Sequence, residues 1–288
     1  GIRVDDQMRT SDPDIFAVGD AIEVKDFGTG QWSLIALAGP ANRQGRIAAD
    51  AIAGRDSRFR GTQGTSVIGV FGATVATTGA NEKLLTGLGQ KDFEKVYLFP
   101  NSHAGYYPGA KTIVLKVIFR KSDGRLLGAQ ALGLDGVEKR IDALAMAILM
   151  GATVYDLEEA ELSYAPPFSS AKDLINYAGF VAANALRGDV KLCHFEDVSN
   201  PREDQLVLDV RSAIEVAGET IPGAICIPID ELRGRLNELP RDRELLVNCQ
   251  VGQRGYVACR ILMHLDNESV GTGRNGRAPW GGRFPRVD

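Results

Sequence analysis

The sequence predicts a mixed chain, α/β and α+β, on three observations. An apolar run, Ile15 to Val18, leads into Gly19 and Asp20 and then an Ala-rich helical pattern. Residues 61–188 carry strand-like runs followed by helix-period segments, which gives an α+β sheet covered on one side. From Leu206 onward short apolar runs alternate with turns and a helix, the βαβ logic of a parallel sheet.

Composition sets the outer bounds. The 288 residues suggest about two domains, and 44% hydrophobic with 24% charged residues is ordinary for a protein with a sizeable core. The chain opens on Gly1 and Ile2 with no basic n-region and no apolar h-region, so nothing reads as a signal peptide and the cytoplasm is the default expectation. The longest greasy segment, Ala143 to Met150, falls far short of the roughly 20 apolar residues a membrane span needs. A net charge of -4 supplies no basic face, so nucleic acid is not an expected partner. Cys193, Cys226, Cys249 and Cys259 show no Cys-x-x-Cys pair or regular spacing, so neither a disulfide framework nor a zinc site is encoded. Cys193-His194 would need two further metal ligands, and none is evident.

The elements follow in order. Residues 1–60 read as strand, motif and helix, the helix spanning Ala36 to Gly54 with Pro40 in its first turn. In 61–188, Val67 to Val75 and Val96 to Phe99 read as strands. Thr112 to Arg120 turns at Ser122-Asp123-Gly124 into Leu126 to Leu132, a hairpin. From Val137, apolar positions at Ile141, Leu144, Ala145, Ile148 and Leu149 repeat with helical period, and a second helix runs from Ser169 or Ser170 to Leu186. The polar stretch Asp189 to Pro201 reads as a boundary into a unit over 189–265, with strands at Leu206 to Val210, Ala224 to Ile227 and Leu245 to Asn248. Residues 266–288 are Gly- and Arg-rich without periodicity and read as disordered or non-native.

Three sets of residues could carry chemistry. In the first, Thr10 to Asp20 (Thr-Ser-Asp-Pro-Asp-Ile-Phe-Ala-Val-Gly-Asp) delivers a bare carboxylate beside a flexible Gly; from residue type alone Asp20 also reads as a cap for the next turn. The segment resembles the second flavin-contacting motif of the two-dinucleotide-binding flavoproteins, the pyridine nucleotide-disulfide oxidoreductases. That resemblance implies FAD as cofactor, with Gly19 and Asp20 at a ribityl hydroxyl and Pro40 and Ala41 in the helix turn facing the isoalloxazine. In that family the motif lies past the middle of the chain, so its position here implies a piece of a larger enzyme. Residues 1–60 are then the end of an FAD-binding Rossmann-like domain, and 61–188 the α+β dimerisation domain.

The second set is Ser102 to Ala110 together with Ser163 to Asp173. Tyrosines beside Gly and Pro suit a rim or an interface, because buried hydroxyls need partners; two turns packed by aromatic side chains is the alternative. These segments resemble those of coenzyme A disulfide reductases and related NADH oxidases. By that resemblance Tyr106 and Tyr164 are the functional pair, Phe168 accompanies Tyr164 at the flavin, Asn42 is a substrate contact and Lys172 a phosphate contact for coenzyme A. Lys172 also reads as a solvated surface lysine. Pro166-Pro167 stiffens the loop that would present Tyr164 across a twofold homodimer.

The third set is Asn248 to Tyr256. Cys249 leaves an apolar strand and enters a Gly-containing loop before a helix at Tyr256 to Met263, so loop N–H groups and the helix start should favour an anionic, nucleophilic sulfur. Arg254 can add positive charge; a buried strand-end cysteine is the alternative, and Cys226 and Cys259 read as core. With Leu-Asp-Val-Arg at Leu208 to Arg211 and Ile-Pro-Gly-Ala at Ile221 to Ala224, the arrangement resembles a rhodanese domain, whose cysteine carries a persulfide. The unit looks incomplete after His264, lacking a further strand. Gly271, Gly273 and Gly276 fit Gly-x-Gly-x-x-Gly without the strand and helix that motif requires.

Together the resemblances imply the C-terminal part of a coenzyme A disulfide reductase fused to an incomplete α/β rhodanese-like domain. The complete relatives pass hydride from NAD(P)H through FAD to a thiol that reduces coenzyme A disulfide or a persulfide. The N-terminal flavin fingerprint, the redox cysteine and the nicotinamide fold have no counterpart here, so reductase turnover by this chain alone is not expected. A stand-alone sulfane-sulfur carrier using Cys249 and a non-catalytic dimerisation module are the other two readings.

Overall fold

The computed structural model describes residues 1–269 and 283–284, with side chains through His264. Contacts divide the chain into two compact units, Gly1–Phe180 and Val181–Asp288, and the break falls within a helix.

The first unit begins with a small sheet of β1 (Ile2–Arg3), β2 (Ile22–Lys25) and β3 (Trp32–Ser33), in which β1 and β2 run parallel. Helix α1 (Ala38–Ile52) follows, with Pro40 in its first turn as expected. Asp20 does not leave a strand end, as the apolar run before it suggests. Gly19–Ala21 form a 3-10 turn that enters β2, and Ile15 to Val18 contribute only the isolated bridge of Phe16 to Arg9. Ile15 and Val18 are exposed, whereas Phe16 and Ala17 pack against Val4, Met8, Ile22 and Val24.

An antiparallel five-stranded sheet forms the rest of this unit. It contains β4 (Ser66–Val70), β5 (Ala73–Gly79), β6 (Glu94–Leu98), β7 (Ile113–Phe119) and β8 (Leu126–Gly133), in the order β4-β5-β8-β7-β6. The stretch Val67 to Val75 is a hairpin rather than one strand. Phe71 and Gly72, with φ of 48° and 84°, make a tight turn inside what looks like a continuous apolar run. The short helix α2 (Glu82–Gly87), capped by Asn81, was not legible from the sequence.

Helix α3 (Val137–Met150) covers the sheet, burying Val137, Ile141, Leu144, Ala145 and Ile148 as the period requires. It ends at Gly151, whose φ of 75° is the left-handed stop that glycine adopts without strain. Helix α4 (Val154–Glu159) starts at a capping box between Thr153 and Asp156. Helix α5 (Leu174–Leu186) begins four or five residues later than the sequence suggests. The reason is a reciprocal cap: Asp173 Oδ1 accepts from the Ile175 N–H at 3.1 Å, and the Asp173 N–H donates to Asn176 Oδ1 at 3.1 Å.

In the second unit, the polar stretch read as a boundary contains β9 (Lys191–Leu192) and α6 (Phe195–Ser199). The helix is started by a capping box between His194 and Asp197, a local signal that polar composition conceals. Then come β10 (Gln205–Asp209), α7 (Ala213–Gly218), β11 (Ile225–Cys226), β12 (Glu244–Asn248), α8 (Gln253–Ser269) and β13 (Arg283–Phe284). The sheet is parallel, in the order β11-β10-β12-β13-β9. Leu208, Leu245, Val247, Ala258 and Leu262 build its core against α8.

The expectation of an absent strand after His264 is corrected here. Arg283 and Phe284 sit between β12 and β9, where the backbone groups of a central strand need partners on both sides. The Gly271, Gly273 and Gly276 pattern and the rest of the tail lie outside the described residues.

Candidate functional site

Unit 1 presents two clusters. In the first, the Gly19 N–H donates to Gln44 Oε1 on α1 at 2.8 Å, which ties the 3-10 turn to the helix, and Gly19 holds a φ of 77°. The neighbouring Asp20 is exposed, and its carboxylate has no partner among the described residues. Leu37 begins α1 without a side-chain cap; Pro40 has no N–H and the Ala41 N–H donates to the Leu37 carbonyl at 3.1 Å, so the open donors at the start of this 15-residue helix are those of Ala38 and Gly39. An exposed carboxylate and an uncapped helix start are groups of the kind that hold a polyol or an anion. Asn42 lies one residue on, exposed, donating to the Ala38 carbonyl at 2.9 Å.

The second cluster brings together the two tyrosine segments. The hydroxyls of Tyr106 and Tyr164 lie 2.9 Å apart although 58 residues separate them, and both rings are exposed. The hydrogen bond with Tyr106 raises the pKa of Tyr164 above the ordinary tyrosine value. The pair is exposed, but its supports are not. The Ala104 N–H donates to the Ser169 carbonyl at 3.0 Å, and Ser169 Oγ donates to the Ser163 carbonyl at 2.8 Å. Beneath them Arg140 of α3 donates to the Ser102 carbonyl at 2.7 Å and to Asp173 Oδ2 at 2.8 Å.

Arg140 thus fastens the start of one tyrosine segment to the end of the other, and the reading of the sequence missed it. The signal was present: Arg140 stands three residues after Val137 and four before Leu144, a core position on α3, and a charge there needs a buried partner. Tyr107 packs edge-on against His103 with ring centroids 5.8 Å apart, away from the hydroxyl pair. Phe168 is exposed on the second segment. The Lys172 ammonium lies 5.3 Å from the Tyr177 ring and 5.2 Å from the Phe180 ring, a seat that fixes the side chain without neutralising it.

Unit 2 holds the cysteine loop. Cys249 follows the last residue of β12, and its Sγ accepts from the Gly252 N–H at 3.1 Å and the Gly255 N–H at 3.2 Å, the second from the first turn of α8. A side chain at Gly252, where φ is 92°, would be strained, so this glycine lets the loop fold back onto the sulfur. Cys249 is 1% exposed, whereas Cys226 is half-buried with its sulfur 3.8 Å from the Thr220 hydroxyl. Cys226 is therefore not a core residue as the sequence suggested; β11 is an edge strand and leaves it partly uncovered. Cys259 is fully buried, and burial followed by the charge of Cys249 pushes its thiol above the usual range. All four cysteines are free.

Two arginines flank the loop, and each is paired. Arg254 closes a two-point fork on Glu215, with both contacts at 2.7 Å. Arg211 grips the fully buried Asp209 from Nη2 at 2.7 Å and from Nε at 2.9 Å, and donates to the Glu219 carbonyl at 2.8 Å. Hydrogen bonds from Arg254 and then Ser212 hold the Glu215 carboxyl well below the usual carboxylate range. Sequence reasoning anticipated Arg254 but not the acid that holds it.

Residues 65–174 match the dimerisation domain of the pyridine nucleotide-disulphide oxidoreductases, and residues 195–280 match the rhodanese-like domain. The chain therefore carries the first domain followed by the second. Coenzyme A disulfide reductase of Staphylococcus haemolyticus is 37% identical over 182 residues, covering 63% of this chain and 41% of that protein. Among solved structures, reduced CoADR-RHD of Bacillus anthracis is 48% identical with a TM-score of 0.90, covering 99% of this chain and 49% of that one. A NAD-dependent persulfide reductase from A. fulgidus is 36% identical with a TM-score of 0.83, over 99% of this chain and 49% of that one. The chain thus spans less than half the length of these relatives. Among the described residues, no helix is long and apolar enough to cross a membrane.

Proposed function

We propose that the chain is the C-terminal part of an FAD-dependent NAD(P)H:disulfide or persulfide oxidoreductase of the coenzyme A disulfide reductase type, and that its rhodanese-like domain takes sulfane sulfur on Cys249. The observation that carries this reading is the sulfur cradle: two backbone N–H groups converge on Cys249 Sγ, one from the start of a 17-residue helix. Such donors stabilise the thiolate that attacks and the persulfide that results. In the attack, a bond forms from Cys249 Sγ to the donor's outer sulfur. The donor's S–S bond breaks, and its electron pair leaves with the departing thiolate or sulfite.

In unit 1, FAD would supply hydride acceptance and electron transfer to the disulfide or persulfide. Asp20 would accept from a ribityl hydroxyl, and the first turn of α1 at Pro40 and Ala41 would face the ring. The exposed pair Tyr106 and Tyr164 suits proton donation to a departing thiolate in the site of a second copy of the enzyme, with Phe168 beside it. Lys172 and Asn42 would contact the substrate, Lys172 through a coenzyme A phosphate.

The test is sulfur transfer from a small organic persulfide to cyanide, followed as thiocyanate. The full chain is expected to turn over, Cys249→Ser to lose at least tenfold, and Cys226→Ser and Cys259→Ser to retain activity. Equal activity in Cys249→Ser would end the reading.

A further inference from the structure

Building on the reading of Cys249 as the sulfur acceptor, we propose that Glu215 is a specificity-determining residue, which disfavours dianionic sulfane donors by holding Arg254 neutralised. Arg254 is adjacent in sequence to Gly255, whose N–H contacts Cys249 Sγ, so its guanidinium is the cation closest along the chain to the cradle. That charge is committed to Glu215 through two contacts of 2.7 Å. The other flanking cation, Arg211, is committed to Asp209 in the same way. Among the described residues, the two arginines flanking the loop are thus each matched by an acid, Arg211 by Asp209 and Arg254 by Glu215. What remains to attract an anion is the two N–H groups and the partial charge of the α8 start, about half an elementary charge.

The donor classes differ in their charge. Thiosulfate brings two negative charges and must release sulfite, also a dianion, after Cys249 Sγ bonds to its outer sulfur and the S–S bond breaks. A persulfide of an uncharged thiol brings at most one and releases a thiolate. A cradle whose flanking arginines are both paired repays little of the hydration that a dianion surrenders, so it favours the persulfide.

Glu215 has a second task that makes the charge separable. Its Oε2 accepts from the Ser212 N–H at 2.9 Å and from Ser212 Oγ at 2.7 Å, while Ser212 Oγ accepts from the Glu215 N–H at 3.4 Å, a capping box that starts α7. Glutamine serves the same position in a capping box, so Glu215→Gln removes the charge and keeps the cap.

The experiment measures kcat/KM of the full chain with thiosulfate and with 2-mercaptoethanol persulfide as donors and cyanide as acceptor. Glu215→Gln is expected to raise thiosulfate use about five- to tenfold relative to the persulfide, since two unit charges about 4 Å apart interact by about 1 kcal/mol even at the dielectric constant of water. The gain should vanish in an Arg254→Ala background. In the wild type, thiosulfate kcat/KM should change little with ionic strength, a measurement that needs no variant. An equal change for both donors, no change, or a gain that persists without Arg254 overturns the inference while leaving Cys249 as acceptor. A steep fall of wild-type thiosulfate use with salt also overturns it. If the wild type takes sulfur from neither donor, the reading of Cys249 fails and takes the inference with it.

Discussion

Arg140 and Asp173 form an ion pair at 2.8 Å, with side chains 2% and 4% exposed. The same guanidinium also binds the Ser102 carbonyl at 2.7 Å and the Gly136 carbonyl at 3.1 Å. One buried cation thus joins helix α3, the segment that carries Tyr106 and the segment that carries Tyr164.

Removing that cation should be costly. In Arg140→Met the Asp173 carboxylate is left buried beside a methyl group, and unfolding of the full chain followed by circular dichroism in urea should show a loss of about 3–5 kcal/mol. Arg140→Met with Asp173→Leu should recover much of it, because two apolar groups leave no orphan charge. If the single variant lost less than about 1 kcal/mol, the clamp would not hold the segments.

The tyrosine pair should be visible as a titration. Because the Tyr106 hydroxyl raises the pKa of Tyr164, Tyr106→Phe should let Tyr164 ionise at lower pH, nearer the ordinary tyrosine value. Phenolate absorbance, with Tyr164→Phe subtracted to isolate the residue, measures the shift. An unchanged midpoint would mean that the two hydroxyls do not share a proton in solution.

Glu82 should govern part of the acid stability. It pairs with Lys95 of β6 and, at 2.6 Å, with Lys116 of β7. Burial pushes the Glu82 carboxyl up, but the two lysines outweigh it and lower the pKa below its ordinary value of 4.5. A carboxyl lowered in the folded state contributes stability that is complete above the unfolded pKa and is lost as pH falls through the folded one. Glu82→Gln should therefore reduce the melting temperature at pH 7 and flatten its decline below about pH 4.5. A parallel pH profile in wild type and variant would contradict this.

How much of this was legible in the sequence follows from how local each signal is. Strands β6, β7, β8, β10, β11 and β12, helix α3 and the cysteine loop were readable because apolar period and turn residues lie within a few positions of each other, whereas β4 and β5 read as one strand and β9 and β13 were not seen. The pairing of Tyr106 with Tyr164 came from a resemblance, since nothing within either segment requires the other. Helices α2, α4, α6 and α7 were missed because they are short and are marked only by a polar cap or a capping box. Arg140 and Glu215 were missed for another reason: their roles exist only when residues 33 and 39 positions away fold back onto them. Arg254 was expected to offer its charge to the sulfur, and only the fold reveals that Glu215 holds it.

Burial of Cys249 also changes how its chemistry should be probed. With Cys249 1% exposed and Cys226 half-buried, the order of alkylation reports access to reagent as much as nucleophilicity. The direct measurement is the mass of the intact chain after brief exposure to a small persulfide and removal of excess donor, followed by peptide mapping. The account predicts one added sulfur atom, carried on Cys249, released by cyanide and absent in Cys249→Ser. An unmodified chain, or added sulfur on Cys226 with Cys249 untouched, would contradict it.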